Sequence, residues 1–158
     1  MLILGACGTW RSGSTAQYNM IRLICDEAGV EYELIKSHVA DRKLYREATA
    51  IFTTDRDMDE IKESLQAFGR VSLREGNPNY KRTFVYAYKQ LKFWKSHHNN
   101  LHQEYEDIIG NTKECIRQIA EHLKLEVDVD KVYEKFLEVK PPKDKYDPVT
   151  KLFPNHRR

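Results

Sequence analysis

The chain has 158 residues, 41% hydrophobic and 32% charged, which is enough for one domain with a real core and too few for two ordinary ones. Its 26 basic and 24 acidic residues leave a net charge of +2 and are spread along the chain, so composition announces no nucleic-acid or membrane surface. Cys7, Cys25 and Cys115 are odd in number and lack C-x-x-C spacing, which argues against a disulfide framework or a zinc site and fits core thiols in a reducing compartment.

Met1 to Ala6 reads as a short buried strand. The apolar run to Cys7 has no basic flank and passes straight into Gly, Thr and Arg, so the expectation is neither a signal peptide nor a membrane span, but a soluble cytoplasmic protein. A glycine-bearing loop follows, and then Tyr18, Ile21, Ile24, Cys25 and Ala28 recur at helical spacing until Gly29 stops them. "EYELIKS" (31 to 37) and "TAIFTT" (49 to 54) read as the second and third strands, and Met58, Ile61, Leu65 and Phe68 as the stripe of a helix. "GRVSLREGNPNYKR" (69 to 82) has the composition of a mobile loop or lid. Tyr80, Phe84, Tyr88, Leu91 and Trp94 mark another helix, with a spacing that suits a core face better than a base-stacking row. "NLHQEY" (100 to 105) is a fourth strand, Cys115 to Leu123 a further helix, and Val132, Phe136 and Leu137 a last short one. From Lys140 the chain is expected to run as an extended, proline-broken surface tail.

Strands alternating with helices predict one α/β domain over residues 1 to 139: a three-layer, P-loop-like arrangement with a central, mainly parallel sheet flanked by helices. Ligands collect beyond the carboxyl ends of such strands. There the first loop offers Gly13 for close backbone approach, Ser14 and Thr15 at a helix N-terminus, and the Arg11 fork, together an oxyanion cradle. The plainer alternative is a strand-to-helix turn capped by Gly and Ser. Gly8, Gly13 and Thr15 fit the triphosphate pattern G-x-x-x-x-G-K-[ST], but Ser14 stands where its lysine belongs. "LIKSH" alternates so that Lys36 and His38 share a face, a cation beside a potential base, unless both simply face solvent. Arg56 could hold a second phosphate, or pair with Asp55, Asp57 or Asp59. "TAIFTTD" resembles a Walker B strand and keeps a magnesium-dependent kinase or phosphohydrolase as the rival enzyme, with a non-catalytic nucleotide-binding module as a third reading. His97 and His98 are adjacent rather than at metal-ligand spacing and are expected to be exposed; no metal site is predicted.

In order and spacing, "RSGST", "IKSH", the Arg56 to Ser64 interval and "YEDI" resemble the sulfotransferase family that uses 3'-phosphoadenosine 5'-phosphosulfate. The family's phosphosulfate loop reads like [KR]-S-G-[ST]-[ST], which Arg11, Ser12, Gly13, Ser14 and Thr15 match position by position. Its strand ending K-[TS]-H is similar to Lys36, Ser37 and His38, and its arginine with a serine eight residues later is similar to Arg56 and Ser64. Its Y-E-D-[LIM] segment resembles Tyr105 to Ile108, so the resemblance spans residues 1 to about 125. The chain departs from the pattern at Ala16, where an aromatic usually packs on adenine, leaving Trp10, Tyr18 or Tyr105 as alternatives. It also lacks the C-terminal R-K-G element, for which Arg157 and Arg158 could substitute only if the tail folds back.

The resemblance implies sulfuryl transfer from that donor to a hydroxyl or amine of a small-molecule or glycan acceptor, without a metal, leaving adenosine 3',5'-bisphosphate. It implies His38 as general base, with Glu33 or Asp41 in reserve, and Lys36 with Arg11 as stabilisers of charge at the transferring group. It implies Ser12, Gly13, Ser14 and Thr15 at the 5'-phosphate, and Arg56 and Ser64 at the 3'-phosphate.

Overall fold

A computed structural model of the chain describes residues 1–67, 80–154 and 156, with side chains described outside 65–67 and 80–84. The loop expected at 69 to 82 therefore lies almost wholly outside the described residues, as do Phe68, Arg157, Arg158 and the side chains of Leu65, Tyr80 and Phe84.

Four strands form one all-parallel sheet: β1 (Leu2–Ala6), β2 (Tyr32–Lys36), β3 (Ala50–Asp55) and β4 (Asn100–Glu104), in the order β2-β1-β3-β4. Seven helices cover it among the described residues: α1 (Ser14–Ala28), α2 (Arg42–Glu47), α3 (Met58–Ala67), α4 (Tyr80–Lys95), α5 (Tyr105–Gly110), α6 (Thr112–His122) and α7 (Val129–Glu138). β1 and β3 are short apolar runs because both of their faces are covered, as parallel strands require. Alternation sorts their side chains. Leu4, Ala6, Ala50 and Phe52 pack with Ile21 and Ile24 of α1, Ile116 and Ile119 of α6 and Val132 of α7. Ile51 and Cys7 face the other way, against Leu44 of α2 and Trp94 of α4. The result is three layers, helices on both faces of a parallel sheet, with all three thiols free and buried.

α1 stops where the sequence says it should: Gly29 adopts the left-handed conformation (φ 68°) and its N–H bonds the Asp26 carbonyl. Two short helices escape a periodicity reading because neither is long enough to show a stripe. α2 is nucleated by Asp41, whose carboxylate accepts from the Leu44 N–H at 3.0 Å. Tyr105 belongs to α5 rather than to the fourth strand, so its ring stands at a strand-to-helix junction. His97 is 4% exposed, against the expectation of a solvent position, because α4 ends at Lys95 and turns it under Tyr45. The segment after Lys140 is not simply extended. Asp147 and Leu152 form an antiparallel bridge, the Asp147 carboxylate accepts from the N–H of Val149 and the hydroxyl of Thr150, and Asn19 of α1 donates to the Thr150 carbonyl at 2.9 Å.

Candidate functional site

The carboxyl ends of β1, β2 and β3 and the start of α5 meet at one end of the sheet, and the loop between β1 and α1 lies among them. Its path is held close to β3: the N–H of Cys7 bonds Phe52 O (2.8 Å) and that of Thr9 bonds Thr54 O (3.1 Å). Gly8 is required by that approach, since a Cβ there would lie 1.8 Å from Thr54 Oγ1. Ser12 is fully buried; its hydroxyl is 2.6 Å from Thr9 O and 2.7 Å from Thr54 Oγ1, so it donates to the carbonyl and braces the loop from within. Arg11 (φ 53°) and Gly13 (φ 84°) flank it in left-handed backbone, a geometry glycine accepts freely and arginine only under constraint. Gly13 caps α1 with no side chain, and no acidic residue stands in the first turn. The first-turn amides of α1 and the positive end of the helix therefore have no carboxylate on their own turn to compete for them.

Three of the predicted phosphate-site residues meet beside this loop. The Arg11 Nε–H donates to Ser64 Oγ at 2.9 Å, joining the loop to α3. Arg56 Nη1 donates to the Arg11 carbonyl at 3.2 Å, and its guanidinium lies over the Tyr105 ring, 3.7 Å from the centroid. Arg56 also pairs with Glu60 at 3.1 Å, not with Asp55, Asp57 or Asp59; Asp55 instead accepts from the Arg56 backbone N–H. Tyr105 in turn touches the loop, since a Cβ on Gly13 would lie 3.4 Å from its ring and 3.1 Å from Ile108.

On the other side of the loop, Lys36 and His38 emerge from the end of β2. Lys36 Nζ donates to Thr15 Oγ1 at 2.7 Å. Burial, then the neighbouring charges of Arg11 and Lys151, bring its pKa down to about 8. His38 Nδ1 lies 2.6 Å from Gly8 O; a carbonyl only accepts, so Nδ1 carries the proton and Nε2 keeps the lone pair in the neutral ring. Burial first and the Lys36 charge second lower its pKa to about 4, partly offset by that hydrogen bond. Ser37 turns away and bonds Val39 O. Of the reserve carboxylates, Asp41 is engaged in capping α2 and Glu33 is exposed on the edge strand.

Among the described residues His38 borders two spaces. One is a small recess of about 10 Å³ lined by Trp10, Tyr86, Ala87 and Leu91 with the start of the loop, the Trp10 ring standing edge-on to His38 at 6.2 Å. The other is an open groove of about 350 Å³ along β2, bounded by Leu34, Ile35, Lys36, Tyr146 and Lys151. Burial first, then the charges of Arg11 and Lys36, lower the pKa of His156 in the folded C-terminal segment to about 4. Thr54, Tyr146, Lys151 and His156 escaped the sequence reading. Thr54 looks like a strand residue and the other three lie in a segment without periodicity, so no local pattern marks them.

Of the aromatics considered for adenine, Trp10 packs by His38, Tyr18 is 6% exposed in the core below Lys151, and Tyr105 carries Arg56 on its face. Ala16 packs against the core. Among the described residues no group of His, Cys, Asp and Glu could hold a metal ion, and no helix is long and apolar enough to cross a membrane.

The architecture is a P-loop-like α/β fold, a central all-parallel sheet flanked by helices with a glycine loop opening α1. Two crystal structures of retinol dehydratase share it: one in complex with androsterone and the inactive cofactor PAP, the other with retinol and PAP. Each superposes with a TM-score of 0.57, at 13% and 14% identity, over 87% and 88% of this chain. The chain spans 63% and 64% of those neighbours' lengths, and at such identity the likeness is one of fold. No family model and no curated relative matches the sequence.

Proposed function

We propose that the protein is a sulfotransferase that moves a sulfuryl group from 3'-phosphoadenosine 5'-phosphosulfate to a hydroxyl or amine, leaving adenosine 3',5'-bisphosphate. The reading rests above all on one observation: Arg11, Arg56, Ser64 and Tyr105 converge on one side of the glycine loop, while Lys36 and His38 stand on the other. One anion-binding loop with cations on both flanks suits a ligand with phosphate at two separate points. The fold neighbours crystallised with PAP support the same donor.

In this reading the α1 N-terminus, with Gly13, Ser14 and Thr15, receives the 5'-phosphate, and Ser12 keeps the loop in shape. Arg56 and Ser64 take the 3'-phosphate, with Tyr105 beneath Arg56. His38 Nε2 removes the acceptor proton as the new oxygen–sulfur bond forms. Lys36 and Arg11 stabilise the negative charge that appears on the bridging oxygen as the sulfur–oxygen bond to phosphate breaks. A pKa near 4 makes His38 a weak base in the ligand-free protein. An anion beside Lys36 offsets the lysine's field, one of the two causes of that depression, and so raises the basicity when the donor is in place.

Calorimetric titration with adenosine 3',5'-bisphosphate beside ATP tests the proposal. Preferential binding of the bisphosphate without magnesium is the expected result; equal binding, or none, removes it.

A further inference from the structure

Of the two spaces that His38 borders, the recess is too small for an organic molecule, whereas the groove along β2 holds about 350 Å³. If His38 is the base, the acceptor's nucleophile reaches it from the groove, so the lining of the groove selects the acceptor. That lining combines two apolar residues of the edge strand, Leu34 and Ile35, with one aromatic, Tyr146, and two cations, Lys36 and Lys151. None of its members is acidic. Asp147, which follows Tyr146 in the chain, is engaged in holding Val149 and Thr150.

Lys151 is placed by several independent constraints rather than by chance on a loose end. The Asn19 bond to Thr150 O fixes the preceding residue to α1, the Asp147–Leu152 bridge closes the turn, and Lys151 Nζ stands 5.8 Å from the centre of the Tyr18 ring. Its backbone is left-handed (φ 59°), as is that of Arg11, so two of the described non-glycine residues held in that costly conformation border this one site. Lys36 already spends a hydrogen bond on Thr15 at the phosphate loop, which leaves Lys151 as the groove's own cation.

Building on the sulfotransferase reading, we propose that the groove binds acceptors carrying a carboxylate or another oxyanionic group beside an apolar or ring moiety, and that Lys151 is the residue that recognises the charge. The C-terminal turn around Lys151 thus supplies acceptor specificity.

Two phenolic probes that differ only in charge, 4-hydroxyphenylacetate and 4-hydroxyphenylacetamide, test this by equilibrium binding to the full chain, with and without adenosine 3',5'-bisphosphate. The anion should bind about tenfold more tightly than the amide, the order expected of one charge-assisted contact. Lys151→Gln should abolish that preference, Lys151→Arg should retain it, and the bisphosphate affinity should stay within about twofold in both. Equal binding of the two probes, binding of neither, or an unchanged preference in Lys151→Gln overturns the proposal. So does a loss of bisphosphate affinity in that variant, which would move Lys151 to the donor site. Because the probes are also offered to the nucleotide-free protein, failure of bisphosphate binding would count against the donor reading alone.

Discussion

Arg11 and Ser64, far apart in sequence, are joined by a hydrogen bond of 2.9 Å from the guanidinium Nε to the hydroxyl, which ties the loop after β1 to the helix after β3. Arg56 adds a second tie through the Arg11 carbonyl. Among the described residues, Ser64 and the Arg11 carbonyl are neutral partners of the two arginines, and Arg56 also pairs with the exposed Glu60. Exchanging such partners for a phosphate costs little ordering of either side chain.

Arg56→Ala should weaken adenosine 3',5'-bisphosphate by tenfold or more, about the value of a bidentate charge-assisted pair, while changing adenosine 5'-phosphate by no more than about twofold. Calorimetry on both ligands separates them, and equal losses would remove Arg56 from the 3'-phosphate.

His38→Ala should retain nucleotide affinity and lose turnover by about 100- to 10,000-fold, the usual worth of a positioned base. Initial rates measured with a responsive acceptor check this; a fully active variant would pass the role to another group.

Titration of Lys36 gives the pH dependence of anion binding. Its pKa near 8 means that the ammonium is present below that value and lost above it, so bisphosphate affinity should hold on the acid side and fall as pH rises past 8. Lys36→Met should flatten that slope.

Stability should respond in the opposite sense at low pH. The folded-state pKa of His38, about 4, lies below the ordinary 6.5, so the unfolded chain binds more protons in between and stability is lost as pH falls from 6.5 towards 4. His156 contributes in the same direction. Thermal melts across that range should shallow in His38→Gln.

Gly8→Ala tests the contact between loop and β3. With Thr54 Oγ1 only 1.8 Å from the new Cβ, one of the two must move, at a cost of about 1–3 kcal/mol and with the loop displaced. Denaturant titration reads the first effect and nucleotide affinity the second.

The alternation of apolar strands with striped helices is written locally, and β1, β3, α1, α4, α6 and α7 follow from it. Lys36 and His38 both border the groove, but the chain leaves β2 after Lys36 and bends at His38, so strand alternation alone does not place the histidine. What escaped depends on distant partners. α2 is the exception, started by the local Asp41 cap and missed because it is too short to show a stripe; His97 is buried by Tyr45 from another element. The C-terminal turn is held by Asn19, a residue of α1 with no sequence signal linking it to Thr150. The groove and Lys151 follow from that turn, so they could be found only in three dimensions.

The edge-on placement of Trp10 against His38 gives the protein an optical reporter of its own site. An imidazolium quenches indole emission more strongly than a neutral imidazole, so Trp10 fluorescence tracks the charge on the proposed base. The second tryptophan, Trp94, is fully buried beside Phe93, and among the described residues its indole N–H has no hydrogen-bond partner, so phenylalanine there removes no polar contact they make. A Trp94→Phe chain would carry one tryptophan, beside the proposed base, and nucleotide binding could be followed there in real time without a label.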